Sequence, residues 1–385
     1  APHRFRRHRR RALPGARRPR PPPHAVPGRP RHLVGLAAAT RARRHGALLP
    51  GQPVRGRRRI DVGREEEIRK LGLKDVYTAR ESSRVYPQGI LASQVLGGVS
   101  VDNAGLAGIE HKFDSLLSGT NGSQLALRDA LRREYHLEPL TEPRDGGDIV
   151  LTIDKTIQFF AQSALERAAI GHGSAWGAAI VSLPATGEIL ALASWPDYDP
   201  NAYSESRDAA RPNRAVQHVF DPGSTFKIIT AAAALESREA ALTDVFDCSS
   251  GMIASPGAPI RDHERFGILS FPGVIIHSSN VGTVMIGRRV GPETMFRTIR
   301  AFGFGERTGI ELPAESSGIV RSPDRWTRRS IDSISIGYEV SVTPLQVLQA
   351  ANVVANGGVR VPPRIIKSLR DPAGGRPSPS GPKPP

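Results

Sequence analysis

From Asp61 onward, the pattern of apolar and polar positions predicts a series of short secondary-structure elements. A charged helix is expected over Arg64–Asp75, and a second helix over Gly105–Leu117 among loops and small strands. The turn-forming stretch PRDGGD, Pro143–Asp148, interrupts this pattern. It therefore indicates a domain boundary.

Beyond this boundary, the pattern predicts the order strand, helix, strand, strand. The stretch IVLTID has the length and apolar character of a strand, and Asp154–Ala169 has apolar residues at helical spacing with Asp154 as its N-cap. WGAAIVSL and EILALAS are predicted strands, joined by a PATGE turn that glycine permits. This order favours an α+β fold, in which helices pack on an antiparallel sheet, over a doubly wound fold.

The positive net charge of the chain comes from its N-terminal segment. The chain has 385 residues and a formal charge of +16, which is typical of a nucleic-acid binder. Residues 1–60, however, hold 18 Arg and no Asp or Glu, so the rest of the chain carries the difference of −2. The predicted folded part is therefore nearly neutral, and no nucleic-acid partner is expected for it.

The Arg- and Pro-rich segment 1–60 is predicted to be disordered, as is the Pro/Gly/Ser tail 370–385. Three interpretations of 1–60 stay open: a basic arm for nucleic acid or anionic lipid, a solvated tail, or non-native sequence such as a GC-rich gene read out of frame. No run of 18 apolar residues predicts a membrane helix, and His32–Thr40 is too short for one. The single cysteine, Cys248, excludes an intramolecular disulfide and a cysteine-based metal cluster. We expect neither a metal nor a cofactor.

Candidate chemistry begins at FDPGSTFK, where Ser224 and Lys227 are three residues apart at the start of a predicted helix. Residues at this spacing share a helix face, and the apolar stretch after Lys227 predicts that this helix is buried. A buried lysine with a lowered pKa can accept the proton of a serine nucleophile. Alternatively, Ser224 is only a helix cap and Lys227 is solvated. The S-x-x-K spacing alone does not decide between them.

A second polar cluster, HSSNVGT, lies 54 residues after Ser224. Its S-x-N pattern, Ser278 and Asn280, offers a hydroxyl for proton relay and an amide for holding a peptide carbonyl. A polar turn or a helix cap explains the same residues more simply. The neighbouring His277 is interpreted as a packing residue.

S-x-x-K followed by S-x-N resembles the signature of penicillin-binding proteins and serine β-lactamases. Between Arg84 and Leu369 the chain is similar to class B penicillin-binding proteins of the division-specific type, which are peptidoglycan D,D-transpeptidases. R-x-Y-P-x-G at Arg84–Gly89 resembles the start of their non-catalytic module. The blocks that resemble their transpeptidase domain are LTID, TGEILALASWPDYDPN, NRAVQHVFDPGSTFK, SSNVG, AFGFGERTGIELPAE and SIGYEVSVTPLQVLQAANVVANGG.

The resemblance implies a role for each candidate residue. Ser224 would attack the penultimate D-Ala carbonyl of a stem peptide and expel the terminal D-Ala, while Lys227 accepts the serine proton. Ser278 would pass a proton to the leaving amine, and Asn280 would hold the substrate amide. The amino group of a second stem peptide would then resolve the acyl-enzyme and form the cross-link.

The same resemblance implies a partner set and a location. Peptidoglycan stem peptides ending in D-Ala-D-Ala would be substrates, and β-lactams would be inhibitors. Membrane proteins of the division machinery, including a glycosyltransferase, would be partners. The family is anchored in the cell membrane with its catalytic domain on the outer face, although this sequence encodes no predicted anchor.

Two departures from the family pattern affect this expectation. No K-T-G, K-S-G or H-T-G follows Asn280, and RTG at Arg307–Gly309 lies in a different family block. Segment 1–60 stands where the family has a membrane helix. The sequence therefore predicts a partial N-terminal module over 61–147 and a transpeptidase domain over 148–369 that is incomplete at its C-terminus. Truncation or frameshift is favoured over divergence, and little transpeptidation is expected.

Three alternative functions are weighed against this one. A degenerate homologue would serve as a non-catalytic scaffold in the division machinery. A serine β-lactamase is disfavoured by the extra module before residue 145 and by the lack of an assignable deacylating glutamate. A nucleic-acid binder would depend on residues 1–60 alone.

Overall fold

A computed structural model of the chain describes residues 31–36, 54–55, 62–72, 76–128, 134–370 and 378–379. These residues belong to two compact units, 1–87 and 88–385. Most of segment 1–60 and of tail 370–385, for which disorder is predicted, lies outside the described residues. The parts that are described within them, other than Arg370, are the strand segments 31–36, 54–55 and 378–379.

In its described residues, the first unit contains a three-stranded antiparallel sheet and one α-helix. In chain order its elements are β1 (Arg31–Leu36), β2 (Val54–Arg55), α1 (Val62–Lys70) and β3 (Val76–Glu81). Strand β1 is central, paired with β2 on one side and with β3 on the other. Helix α1 confirms the charged helix predicted from Arg64, although residues 73–75 of that prediction lie outside the described ranges.

The second unit is larger and mixes helices with short strands. Its helices are α2 (Ser93–Leu96), α3 (Gly108–Lys112), α4 (Asp114–Leu117), α5 (Lys155–His172), α6 (Arg214–Gln217), α7 (Lys227–Glu236), α8 (Phe271–Ile276), α9 (Asn280–Ala301), α10 (Ser330–Ser335) and α11 (Pro344–Ala355). Its strands are β4 (Gly98–Val99), β5 (Gly105–Ala107), β6 (Ser123–Arg128), β7 (Glu134–Thr141), β8 (Asp148–Leu151), β9 (Gly177–Ser182), β10 (Ile189–Trp195), β11 (Val245–Asp247), β12 (Met252–Ile253), β13 (Ile260–Arg261), β14 (Ile268–Ser270), β15 (Ile366–Arg370) and β16 (Ser378–Pro379).

Two antiparallel strand pairs, β9–β10 and β8–β15, lie side by side as the main sheet of this unit. Backbone hydrogen bonds join them: Ile189 N donates to Arg364 O at 3.0 Å, and Asp154 N donates to Leu190 O at 2.9 Å. Helix α5 packs against this sheet, where the Gln158 amide bonds both the N–H and the carbonyl of Leu192. The predicted α+β arrangement is therefore confirmed.

Helix α5 begins where its N-cap predicts. One carboxylate oxygen of Asp154 accepts hydrogen bonds from Thr156 N at 2.8 Å and Ile157 N at 2.9 Å. These bonds satisfy two of the backbone donors that a helix start leaves without partners. The predicted single helix over 105–117, in contrast, consists of strand β5 followed by the short helices α3 and α4.

The helices that carry the candidate site form a separate layer around a buried apolar cluster. Residues of α7, α8, α9 and α10 contribute to it, including Ile229, Val274, Ile286 and Ile334, as does Phe226 just before α7. Helix α7 is not buried on all sides as predicted, because Ile228 and Leu235 on its outer face are exposed. Helix α7 therefore buries only one face, and that face carries Lys227.

Candidate active site

Ser224 lies on an exposed 3₁₀ turn, Gly223–Phe226, that leads directly into helix α7. The turn is held from outside by Gly337, whose carbonyl accepts a hydrogen bond from Gly223 N at 3.0 Å. A Cβ atom at Gly337 would lie only 2.0 Å from the carbonyl oxygen of Gly223. Glycine at 337 thus permits the close backbone approach that fixes the position of the Ser224 turn.

Lys227 is the first residue of α7, and its side chain points into the protein. It is only 2% exposed, and its amine donates hydrogen bonds to Ser278 Oγ at 3.0 Å and to Asn280 Oδ1 at 2.8 Å. The amine also donates to the backbone carbonyl of Ser278. The structure therefore places the lysine of the first motif in contact with both candidate residues of the second.

Burial is the main reason that the pKa of Lys227 is lowered from its usual 10.5 to about 8. Desolvation disfavours the ammonium form, and the negative charge of Asp262 partly offsets this by raising the pKa. A substantial fraction of the amine is therefore neutral at slightly alkaline pH. A neutral amine with its lone pair free is a competent proton acceptor.

Ser278 and Asn280 lie at the junction between α8 and α9. Ser278 has a left-handed backbone with φ of 54°, a conformation that places its hydroxyl and its carbonyl on the same amine. Ser279 is the N-cap of α9, and its hydroxyl accepts from Gly282 N at 3.0 Å. The amide nitrogen of Asn280 donates to Arg261 O at 2.8 Å, which leaves its oxygen turned toward Lys227.

Asp262 supports this junction, a role that no sequence motif indicated. Its carboxylate accepts hydrogen bonds from Asn280 N, from Val281 N at 3.0 Å and from Ser279 Oγ at 2.8 Å. A carboxylate at the N-terminus of a long helix is favoured by the helix dipole as well as by these bonds. Asp262 is separated from both motifs in the sequence, so motif spacing could not have identified it.

The arrangement differs from a direct serine–lysine hydrogen bond. Among the residues that the structure describes, Ser224 Oγ has no hydrogen-bond partner, while the lysine amine is fully engaged by Ser278 and Asn280. His277 is exposed, and its ring lies 5.3 Å from the ring of Phe266. Chemically, the site presents an exposed serine three residues before a lysine whose buried amine is hydrogen-bonded to a second hydroxyl.

No group of three or more His, Cys, Asp or Glu side chains in the described ranges of the chain is placed to hold a metal ion. Within the same ranges, we find no helix with the length and apolar character needed to cross a membrane.

Comparisons with known proteins agree on one family. Residues 177–384 match the model of the penicillin binding protein transpeptidase domain, and residues 52–151 match that of the penicillin-binding protein dimerisation domain. The chain is 38% identical over 305 residues to penicillin-binding protein PbpB of Mycolicibacterium smegmatis, which covers 78% of this chain and 47% of that protein. It is 37% identical to stage V sporulation protein D of Bacillus subtilis over 82% of this chain and 50% of that protein. The chain thus spans about half the length of these curated relatives.

Solved structures show the same relationship. Penicillin binding protein 3 from Mycobacterium tuberculosis in its apo form superposes with a TM-score of 0.68 at 36% identity, covering 79% of this chain and 65% of that one. The same protein has been solved in complex with ampicillin. Since the transpeptidase model alone matches more than half of the residues, the chain belongs to the class B penicillin-binding protein family.

Proposed function

We propose that this chain forms an acyl-enzyme through Ser224, with peptidoglycan stem peptides as natural substrates and β-lactams as inhibitors. The observation that carries the proposal is the buried Lys227 amine, bound at once to Ser278 Oγ and Asn280 Oδ1. A capped helix with a solvated lysine would show neither the burial nor these contacts. The same contacts also match the two motifs by which the family was identified.

In this proposal, the Lys227 amine takes the proton of the Ser224 hydroxyl as Ser224 Oγ bonds to the penultimate D-Ala carbonyl carbon. The tetrahedral intermediate collapses by breaking the C–N bond to the terminal D-Ala. Ser278, hydrogen-bonded to the same amine, returns the proton to that leaving nitrogen. Asn280 holds the amide of the bound peptide. The Ser224 N–H, at a helix start, contributes one donor to the developing oxyanion.

A fluorescent penicillin tests the proposal directly. We expect covalent labelling of the chain at Ser224, found by peptide mass spectrometry, and loss of labelling in Ser224→Ala. Ser204→Ala removes another exposed serine hydroxyl and is expected to keep the label. Equal labelling of Ser224→Ala, or no labelling of the folded chain, would contradict the assignment. Label that is lost rapidly with hydrolysis of the drug would instead indicate a β-lactamase.

Turnover is a separate question from acylation. Because no K-T-G follows Asn280 in this sequence, we propose that cross-linking by this chain is weak relative to its acylation by β-lactams. The alternative is a non-catalytic scaffold. Measuring both the penicillin-labelling rate and the release of D-Ala from a stem-peptide substrate separates the two: rapid release of D-Ala in a Ser224-dependent manner would contradict impaired turnover.

We further propose a role in septal cell-wall synthesis on the outer face of the cell membrane, with membrane proteins of the division machinery, including a glycosyltransferase, as partners. The support is the kind of relative that the chain matches, which includes peptidoglycan D,D-transpeptidase FtsI of Escherichia coli at 30% identity. A tagged chain that fails to concentrate at division sites in a producing cell would contradict this role.

A further inference from the structure

A cavity of about 290 Å³ lies in the second unit and is lined by none of the candidate active-site residues. Its walls come from four places: Gln94 of α2, the β5–α3 segment, the stretch from Arg211 to Gln217, and the loop Leu312–Ala314. Its size is at the lower end of the range of small-molecule sites. The cavity therefore suits a ligand no larger than a short peptide.

Arg211 gives this cavity a fixed positive charge. Its guanidinium donates to Ser206 Oγ at 2.9 Å and Ser206 O at 3.0 Å, and it stacks over the ring of Tyr203 at 4.9 Å. It also pairs with Asp208 at 3.0 Å, but the side chain of Asp208 is 95% exposed and hydrated. A guanidinium has five N–H groups, so this network orients Arg211 without exhausting its donors.

Asn213 adds a hydrogen-bond donor, and the contact of its side-chain oxygen shows which atom that donor is. Its Oδ1 caps α6 by accepting from Ala215 N at 3.2 Å, so Nδ2 is the atom that remains. Asn213 is 4% exposed, and Nδ2 is buried with no hydrogen-bond partner among the residues that the structure describes. A buried amide donor without an acceptor is costly, and a ligand oxygen would remove that cost.

Gln217, one turn further along α6, lines the same cavity. Its side-chain amide has no hydrogen-bond partner within the described ranges, which leaves it able to adjust to a ligand. Of the described residues that line the cavity, none carries a carboxylate. Leu106, Leu312 and Pro313 supply apolar surface beside the donors. His111 also lines the cavity, and its Nδ1 lies 3.1 Å from Gly105 O. The lining thus combines the Arg211 cation, a histidine ring, neutral donors and an apolar wall.

We propose that this cavity binds a small organic carboxylate of about dipeptide size, with the carboxylate at Arg211, Asn213 and Gln217. One fixed cation matches a single negative charge better than a doubly charged phosphate. The apolar wall matches the organic part of such a ligand. Binding at this site does not depend on acyl transfer at Ser224. The two proposals are therefore tested by separate experiments.

Isothermal titration calorimetry of the full chain with N-acetyl-L-alanyl-L-alanine tests the proposal. We expect saturable binding at one site in the millimolar range or tighter, and about ten-fold weaker binding of the C-terminal amide of the same peptide. Arg211→Gln should weaken binding by about ten-fold, because it removes the charged donor. Lys112→Gln removes the same charge from an exposed residue outside the cavity lining and should leave binding unchanged.

Gln217→Met is a second cavity variant, for the case in which Arg211→Gln disturbs the structure of the loop that carries Arg211. The Gln217 amide has no partner to lose, so the variant should fold with an unchanged melting temperature and still bind several-fold more weakly. Absence of saturable binding to the wild-type chain would overturn the proposal. So would equal binding of the peptide and its amide, or wild-type affinity in both cavity variants. Inorganic phosphate binding more tightly than the peptide would overturn the carboxylate assignment.

Discussion

At the scale of single residues, Lys227 shows what a motif can and cannot indicate. The S-x-x-K spacing pointed to a lysine that the structure buries at the start of a helix, which gives the spacing a physical meaning. Spacing could not show that the amine contacts Ser278 and Asn280, since these lie more than 50 positions away and meet it only through tertiary packing. Through these contacts, the lysine joins the S-x-x-K motif to the S-x-N motif.

The first prediction follows from the pKa of Lys227, which burial lowers to about 8. If the neutral amine is the base, the acylation rate constant for penicillin rises with pH, by about ten-fold per unit below the pKa, and levels off above it. Stopped-flow labelling between about pH 6 and 10 measures this profile. A rate constant that does not change across that range would show that Lys227 is not the proton acceptor.

The second prediction concerns Asp262, whose negative charge raises the pKa of Lys227 while its oxygens hold the start of α9. Asp262→Asn should lower the rate plateau by about ten-fold or more, because charge-assisted bonds to the Ser279–Val281 backbone are weakened. It should also move the rising limb of the pH profile to lower pH, since the offsetting charge is gone. The pH–rate profile of the variant reports both effects.

A matched variant separates these effects from a general loss of charge. Asp324→Asn removes an acidic side chain that is 73% exposed and distant in sequence from both motifs. This variant should leave unchanged both the plateau rate constant and the pH range over which the rate constant rises. If the rate constant of Asp262→Asn rises over the same pH range as that of the wild-type chain, the proposed electrostatic coupling to Lys227 is wrong. This holds even when the plateau rate constant is lower.

At the scale of elements, local signals predicted the parts of the fold that local interactions determine. The cap of α5 and the β9–β10 hairpin each depend on residues close together in sequence, and both are confirmed. A polar turn or a helix cap was considered for the break between α8 and α9, but its geometry depends on Asp262 and on the left-handed Ser278, which no local pattern indicated. The 3₁₀ turn at Ser224 likewise depends on Gly337, which is more than 100 residues away.

The third prediction tests that long-range support. In Gly337→Ala, the new Cβ would lie 2.0 Å from the backbone oxygen of Gly223, at a φ of +84° that alanine adopts poorly. The turn that carries Ser224 must shift, so acylation should slow by about ten-fold or more, and the free energy of unfolding should fall by ~2 kcal/mol or more. Labelling kinetics and urea denaturation measure the two quantities.

Gly357→Ala is the control for backbone strain alone. Gly357 also has a positive φ, +64°, but an added Cβ there meets no atom within 4 Å. The free energy of unfolding should fall by only ~1 kcal/mol, with labelling unchanged. Equal effects of the two substitutions on labelling would mean that the Gly337–Gly223 contact does not position Ser224.

At the scale of the whole molecule, composition separated residues 1–60 from the rest, and the positive charge proved to be confined to that segment. Sequence patterns could not locate the division between the compact units at Pro87, because it lies within the R-x-Y-P-x-G block rather than at a turn cluster. The predicted boundary at Pro143–Asp148 lies between strands β7 and β8. The domain limits over 61–147 and 148–369 stay predictions.

The fourth prediction uses the division at Pro87. All three buried apolar clusters of the described chain consist of residues from Ala92 onward, and every candidate active-site residue lies in the same unit. Because a unit with its own core can fold alone, a chain that begins at Gln88 should unfold cooperatively and label with penicillin at a rate within about two-fold of the full chain. Thermal unfolding followed by circular dichroism and labelling kinetics measure both properties. Loss of the cooperative transition would show that the first unit stabilises the second, whereas normal unfolding with lost labelling would show that the first unit acts on the site itself.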